Sequence, residues 1–209
     1  FFERIFITSC DWMRSDVVWT FAIAIVFLGL AAALFGHWLE KAGPRKAGVA
    51  AAIFWGGGLM VTSLGVSLHQ LWLIWLGAGV IGGIGLGLGY ISPVSTLIKW
   101  FPDRRGLATG MAIMGFGGGA MIGMPLGDYL IKANGVGETF FIMGLIYFIA
   151  MTIGAFGYRV PAEGWKPEGW NPVAKKTNNM ISSSHVHVSN AHKTPQFWLL
   201  CGVLCLNVS

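Results

Sequence analysis

Residues 77–98, GAGVIGGIGLGLGYISPVSTLI, and residues 106–127, GLATGMAIMGFGGGAMIGMPLG, are two glycine-rich apolar runs joined by the charged hinge KWFPDRR. In water such runs would be poor helices, because each glycine costs about 1 kcal/mol in a helix relative to alanine. In a bilayer every backbone N–H and C=O must be paired within the segment, which keeps the run helical. Small residues also allow neighbouring helices to approach closely. The two runs therefore predict closely packed membrane helices.

The spacing of the glycines defines the faces of these two helices. At 100° per residue, residues four apart share a face. One face of the first run therefore carries Gly79, Gly83 and Gly87. One face of the second run carries Gly115, Gly119 and Gly123. We call these six residues the packing glycines. A second stripe of the first run, small and polar, ends in Ser92 and Thr96. We expect both helices to pack through these stripes.

A soluble nucleotide-binding interpretation fails on its context. Residues 77–82 fit the dinucleotide fingerprint G-x-G-x-x-G, and Asp103 follows at a suitable distance. That fingerprint requires a strand before it, a water-stable helix after it and a second strand ending in the acid. Here the supposed helix carries further glycines and Pro93, and no strand-like alternation follows.

The composition is that of a membrane protein. Of the 209 residues, 55% are hydrophobic and 11% are charged, and the mean hydropathy is +0.65, whereas soluble domains carry about 25% charged residues. The net charge of +5 lies in short clusters between apolar runs, where it orients spans and does not indicate nucleic acid as a partner. The three cysteines form neither a CxxC motif nor a disulfide framework.

We therefore expect an all-α membrane protein with five complete transmembrane helices and the start of another. The lipid bilayer is the first partner this implies. The uncharged spans cover approximately residues 17–36, 47–68, 71–98, 106–131 and 139–158. Together they are expected to form a bundle over residues 17–159. Residues 1–16 are interpreted as an extracytoplasmic remnant, 160–194 as a polar central linker, and 195–209 as the start of the first helix of a further half.

The loop charges predict the orientation of these spans. Eleven of the fourteen Lys and Arg residues fall in the loops of one side, and the other side has Arg4, Arg14 and Lys132. By the positive-inside rule the side with eleven is cytoplasmic, and it includes the central linker. We expect an integral multi-pass protein of the plasma (inner) membrane, with one further helix before residue 16.

The loop after the first span carries a family motif. With a helix restored before it, GHWLEKAGPRK at 36–46 falls between the second and third helices of a six-helix unit, and it resembles the loop of the major facilitator superfamily. That loop has the form G-x-x-x-D/E-R/K-x-G-R/K-R/K, matched here by Gly36, Glu40, Lys41, Gly43 and Arg45. Pro44 departs from the motif, because a basic residue is usual there. The alternative is a plain basic turn.

A closer resemblance is to the oxalate/formate antiporter family of that superfamily. It is carried by SDVVWTF at 15–21, the loop at 36–46, the block 87–127 and the phrase GWKPEGW at 164–170. The resemblance implies a secondary active transporter, a twelve-helix carrier that exchanges small carboxylates by alternating access. This chain would hold the first half and the linker, with the missing C-terminal half of the same protein as its partner. Another monocarboxylate or small solute is the alternative substrate.

The candidate binding residues are few. The five spans hold no Lys, Arg or His in their central regions, and the resemblance implies that the basic residues for the substrate lie in the second half. Tyr90, Ser92 and Thr96 remain as hydrogen-bond donors for a carboxylate. For Tyr90, an aromatic role in helix packing is an equal alternative.

The motif loop and the following hinge suggest a conformational switch. Gly36, Glu40, Lys41, Gly43 and Arg45 lie on the same side as Asp103, Arg104 and Arg105. We expect Glu40 to pair with Arg104 or Arg105, or to cap a helix of the missing half, when the cytoplasmic side closes. Arg45 is then expected to reach Asp103.

Other function classes find little support. A channel or scaffold is the competing class, but no pore-lining ring of charges or filter loop is visible. An enzyme would require paired acids, a His/Cys cluster or an activated nucleophile, and the acids between the spans are scattered. No cofactor is indicated. His185, His187 and His192 do not have the spacing of a closed metal site, and His37 is interpreted as a surface or packing residue.

Overall fold

The computed structural model describes residues 12, 14–162, 165, 193–195, 197–199 and 203. Within them the chain forms five helices of membrane-spanning length and composition. They are α1 (Arg14–Ala42), α2 (Pro44–Ser67), α3 (Leu71–Trp100), α4 (Arg105–Asn134) and α5 (Val136–Gly157). Helix–helix packing without any strand among these residues is the all-α membrane bundle that the composition predicts.

The connections between helices are shorter than the sequence suggests. α1 continues through Glu40 to Ala42 and α2 begins at Pro44, so that Gly43 alone separates them. Gly43 has a φ of 84°, which glycine adopts without steric cost, and proline suits a first helical position because it has no N–H to satisfy. The expected loop at 37–46 is therefore mostly helix. Gly135, with a φ of 82°, connects α4 to α5 in the same way.

α3 packs through glycine against two helices. A Cβ added at Gly83 would lie 2.7 Å from Ala24 O of α1, and one at Gly87 would lie 2.7 Å from Leu28 O. On the other face, a Cβ at Gly85 would lie 2.5 Å from Trp55 N of α2. Because real Cβ atoms do not approach backbone so closely, α3 fits between α1 and α2 only with glycine at these positions. Gly79 likewise lies against Ile23 of α1.

A π-helical segment interrupts α3 where it crosses α2. The helix is α-helical over Leu71–Ile74, π-helical over Trp75–Ile81 and α-helical again over Gly82–Trp100. At the crossing, a Cβ on Gly77 would lie 2.7 Å from both Gly58 O and Thr62 N. The wider π-helical turns thus coincide with a backbone-to-backbone contact. Nothing in the apolar pattern predicts this segment.

α2 also packs closely against α5. A Cβ on Gly48 would lie 2.8 Å from Ala155 Cβ, and one on Gly56 would lie 3.0 Å from Gly144 O. These contacts make α2 the central helix, since α3 and α5 lie on two of its sides. Its buried residues include Ala47, Ala51 and Ala52, each of which is 0% exposed.

α4 packs far less closely than the other helices. Among the residues whose burial is described, Ala108 and Gly127 are its buried positions. Within the described part of the chain, Cβ atoms added at Gly115 and Gly119 would meet nothing within 4 Å. These two expected packing glycines therefore contact no neighbouring helix here. A Cβ at Gly123 would meet the Tyr147 hydroxyl at 2.6 Å.

The two ends of the bundle differ in chemistry. The basic end, defined as residues 42–46, 99–105 and 158–160, is joined by hydrogen bonds from Arg45 Nε to Tyr158 O (2.6 Å) and from Trp100 Nε1 to Arg159 O (2.8 Å). At the opposite end, a small apolar cluster forms around Val66, Ile74 and Val136. Successive connections thus alternate between the two ends, as expected for antiparallel spans.

The chain divides into two compact units, Phe1–Glu168 and Gly169–Ser209. In the second unit, Pro195, residues 197–199 and Val203 are helical, and the Phe197 and Trp198 rings meet edge to face at 5.5 Å. Most of the predicted linker at 160–194, most of 195–209 and nearly all of 1–16 lie outside the described residues. So do His185, His187 and His192.

Candidate functional site

A cavity of about 650 Å³ lies between α2, α3, α4 and α5. Its wall is aromatic and thioether in character, and the side chains that give it this chemistry are Trp55, Tyr90, Phe140, Tyr147, Met124, Met143 and Met151. Of the described residues that line it, none is charged. A volume of this size is within the range of small-molecule sites.

The glycines of α4 form one side of this cavity. Gly115, Gly119 and Gly123 all line it, and the first two have open space where a Cβ would lie. The stripe expected to pack against another helix therefore enlarges a cavity. The glycines of α4 repeat at the same spacing as those of α3. In this structure, however, the α4 glycines face a cavity, whereas the α3 glycines face neighbouring helices.

Two tyrosines provide the phenol groups of the cavity wall. Tyr90, from α3, is 37% exposed. Tyr147, from α5, extends toward α4. Its hydroxyl lies 2.6 Å from the position that a Cβ on Gly123 would occupy. The Tyr147 ring is 6.3 Å from that of Trp55, at an interplanar angle of 69°. This edge-to-face contact positions Tyr147 across the cavity.

Ser92 and Thr96 have a different environment from Tyr90. Ser92 is 0% exposed and its Oγ donates to Pro44 O at 3.1 Å. Thr96 Oγ1 donates to Ser92 O at 2.8 Å. Neither residue lines the cavity. The Ser92 hydroxyl thus holds α3 against the start of α2, whereas the Thr96 hydroxyl bonds within α3. The structure separates Tyr90 from the two other candidates.

Thr139 and the Asp128–Lys132 pair are further polar groups of α4 and α5. Thr139 lines the cavity, but its Oγ1 donates to Gly135 O at 2.6 Å, within α5. On α4, Lys132 Nζ lies 2.8 Å from Asp128 Oδ2, and neither residue lines the cavity. Among the described residues, no group of three His, Cys, Asp or Glu side chains could hold a metal ion.

Comparison with known proteins assigns the bundle to a family. The sequence profile of the Major Facilitator Superfamily matches residues 6–209, nearly the whole chain. The chain belongs to the Major Facilitator Superfamily. Members of this superfamily are membrane transporters and not enzymes, and the five apolar helices agree with an integral multi-pass membrane protein.

Three of the proteins that the chain is similar to are named as transporters or as an antiporter. The chain is 28% identical to an uncharacterized MFS-type transporter of Escherichia coli K12, YhjX, over 89% of the chain and 43% of that protein. It is 29% identical to the oxalate:formate antiporter of Oxalobacter formigenes over 79% of the chain and 36% of that protein. It is 26% identical to monocarboxylate transporter 2 of Meriones unguiculatus over 89% of the chain and 36% of that protein. The chain thus spans less than half the length of each.

The superfamily's motif loop adopts a helical form here. Gly36, Glu40 and Lys41 lie on the last turns of α1, and Gly43 provides the reversal. Arg45 bonds to Tyr158 O, so in this structure it does not take the expected position at Asp103. Asp103 pairs instead with Arg104, Oδ2 to Nε, at 3.6 Å. No ion pair of Glu40 occurs among the described residues. Whether these groups exchange partners on closure stays a prediction.

Sequence reasoning missed most of the cavity wall. Trp55 and Tyr147 come from two different helices, and their meeting depends on the crossing of α2 and α5 at Gly56 and Gly144. The methionines carry no periodic signal of their own. The glycines of α4 were the available signal, because a stripe without side chains is compatible either with a packed helix or with an open cavity.

Proposed function

We propose that the chain forms one bundle of a secondary active carrier that exchanges small carboxylates across the membrane by alternating access. The observation that carries this proposal is the uncharged cavity between α2, α3, α4 and α5, lined by Tyr90 and Tyr147. Similarity to an oxalate:formate antiporter and to a monocarboxylate transporter supports carboxylates as the substrate class. The chain's share of these relatives supports a second bundle, formed by the C-terminal half of the same protein, as the partner.

The chemistry of the cavity supports a division of roles between the two bundles. An anion in a site without water requires cations or N–H and O–H donors around it. Tyr90 and Tyr147 offer phenol groups, whereas no described lining residue is a cation. The second bundle therefore supplies the positive charge in this proposal, and the present bundle supplies shape and hydrogen bonds.

The wall favours a monocarboxylate with an apolar substituent as the second candidate. The three methionines and Trp55 present soft apolar surface to the cavity, which suits a short carbon chain better than a second carboxylate. Oxalate, with two charges, would require more positive charge from the partner bundle. Carriage of another monocarboxylate is thus the alternative to oxalate and formate.

The charge distribution supports an orientation. The basic end carries Arg45, Lys46, Lys99, Arg104, Arg105 and Arg159. By the positive-inside rule this end faces the cytoplasm, and the linker at 160–194 follows it there. The plasma (inner) membrane is the location that we propose for the carrier, and the charge distribution supports its orientation there.

Counterflow in liposomes that contain the full-length protein tests the function. We expect the protein to exchange labelled oxalate, formate or pyruvate, and Tyr90→Phe or Tyr147→Phe to raise KM by about three- to tenfold, as expected for one lost hydrogen bond. Tyr129→Phe is the matched control, because Tyr129 is 70% exposed on α4 and lies outside the cavity wall.

Two results would separate the components of this proposal. If the wild-type protein exchanged none of the three carboxylates, the substrate class would be refuted. If it exchanged them with the same KM in all three Tyr→Phe variants, the carboxylate function would stand, and the cavity would not be part of the substrate path.

A further inference from the structure

A second cavity lies at the basic end, away from the first. It has a volume of about 470 Å³ and is lined by residues 42–46 and 158–160. Its lining contains the cationic side chains of Arg45, Lys46 and Arg159 and no acidic residue. Three positive charges around one concave surface make it a site for an anion.

The backbone that carries these cations is held by contacts from two helices. Arg45 Nε, on the first turn of α2, donates to Tyr158 O at 2.6 Å. Trp100 Nε1, at the end of α3, donates to Arg159 O at 2.8 Å. The backbone after α5 is thus held on both sides, which keeps Arg159 beside the start of α2. The positive charges converge because of the fold.

The start of α2 adds to the positive potential. Gly43 precedes the helix and no side-chain hydrogen bond caps its N-terminus, so the partial positive charge of this helix end lies at the cavity. The C-terminal ends of α1 and α5, which carry partial negative charge, lie there too, so the net positive potential comes from the three cationic side chains. Glu40, on the last turns of α1, is exposed and does not line the cavity.

The position along the bundle identifies the source of the anion. The cavity lies where α1 and α5 end and α2 begins, and the Trp100 and Trp165 rings meet beside it at 5.2 Å and an interplanar angle of 66°. Tryptophan is enriched at the level of lipid headgroups, and basic pockets between membrane helices bind anionic headgroups. We propose that this cavity binds the phosphate group of an anionic phospholipid. The site is independent of the transported substrate.

Lipid titration of the purified chain in detergent, followed by native mass spectrometry, tests this site. The test variant is Lys46→Gln/Arg159→Gln, which leaves the Arg45–Tyr158 hydrogen bond intact. Its control is Lys99→Gln/Arg105→Gln, which removes the same charge from exposed positions of the same end, outside the cavity lining. The ligands are phosphatidylglycerol, phosphatidylcholine and inorganic phosphate, and circular dichroism verifies that each variant remains helical.

We expect the test variant to bind phosphatidylglycerol about thirtyfold more weakly than wild type, as expected from the loss of two charges near the headgroup. The control should bind as wild type, and phosphatidylcholine should bind weakly to all three proteins. Equal loss in both variants would mean diffuse attraction and would overturn the site, as would unchanged binding by the test variant. Displacement of phosphatidylglycerol by inorganic phosphate would overturn the assignment to lipid.

Discussion

α3 and α4 have nearly the same amount of glycine in sequence but very different surroundings in the structure. On α3, Cβ atoms at Gly83, Gly85 and Gly87 would collide with the backbone of α1 or α2. On α4, Cβ atoms at Gly110 and Gly119 would meet no described atom within 4 Å. A glycine stripe therefore indicates that a helix lacks side chains on one face, but it does not indicate what occupies that face.

The largest expected difference between the two helices is in stability. Gly85→Ala places a methyl group 2.5 Å from Trp55 N, and we expect it to destabilise the bundle by about 1–3 kcal/mol, as overpacking does. Gly110→Ala adds a methyl group in open space and should be neutral, or stabilising by up to about 1 kcal/mol. Thermal unfolding of each variant of the 209-residue chain in detergent measures both effects.

Unfolding temperatures that remain at the wild-type value in both alanine variants would contradict the comparison. Such a result would mean that α3 accommodates an added methyl group as readily as α4 does. A loss of stability in Gly110→Ala as large as that in Gly85→Ala would mean instead that α4 is packed against another part of the protein.

A smaller difference is expected for the hydroxyl groups of the same two helices. Ser92 Oγ on α3 donates to Pro44 O, 48 residues away in sequence, at a buried position. Thr109 Oγ1 on α4 donates to Arg105 O within its own helix, at an exposed site. We expect Ser92→Ala to cost about 1 kcal/mol and Thr109→Ala to cost almost nothing, in the same unfolding measurement.

The result for Ser92→Ala also distinguishes a role of Ser92 in helix packing from a role in the substrate path. If Ser92→Ala left stability unchanged but raised KM in counterflow, the hydroxyl would belong to the substrate path and not to helix packing. Loss of stability with an unchanged KM is the result that the buried hydrogen bond predicts.

The fold could be predicted from the sequence because a bilayer restricts the alternatives. Apolar runs of sufficient length, separated by charged residues, must be helices in lipid, and the described part of the chain contains five such helices. The exact ends could not be predicted, since Gly43 and Pro44 reverse the chain in one residue where the charge pattern favoured a loop of ten. The π-helical segment Trp75–Ile81 depends on the crossing of Gly58 and Gly77, a contact between helices that no local pattern encodes.

The candidate site was less predictable than the fold for a related reason. Tyr90, Ser92 and Thr96 lie within seven residues of one another, but a helix rotates them onto different surroundings. Tyr90 lines the cavity, while Ser92 and Thr96 are buried outside it and Ser92 bonds to the start of α2. Tyr147 lies far away in sequence, and its contact with Trp55 exists only because α2 and α5 cross there.

The hinge that joins α3 to α4 gives the smallest expected energetic effect. Residues 101–104 pass from the tightly packed helix to the loosely packed one, and there Arg104 Nε lies 3.6 Å from Asp103 Oδ2. An exposed pair of this kind contributes about 0.2–1 kcal/mol. If α4 moves relative to α3 during transport, such weak pairs are suited to bias the two states, because nearly balanced populations shift several-fold with energies of this size.

Glu40 tests this hinge hypothesis from the other side of the basic end. It is exposed on the last turns of α1 and has no ion pair among the described residues, so Glu40→Gln should not change the unfolding temperature of this chain. In the full-length protein we expect Glu40→Gln to slow exchange several-fold and to increase labelling of a cysteine at the basic end, since closure there would lose a partner for Arg104 or Arg105. Glu40→Asp keeps the charge and should behave as wild type. Identical exchange and labelling in Glu40→Gln and wild type would reduce the motif loop to a basic turn, and the difference between α3 and α4 would then be one of packing alone.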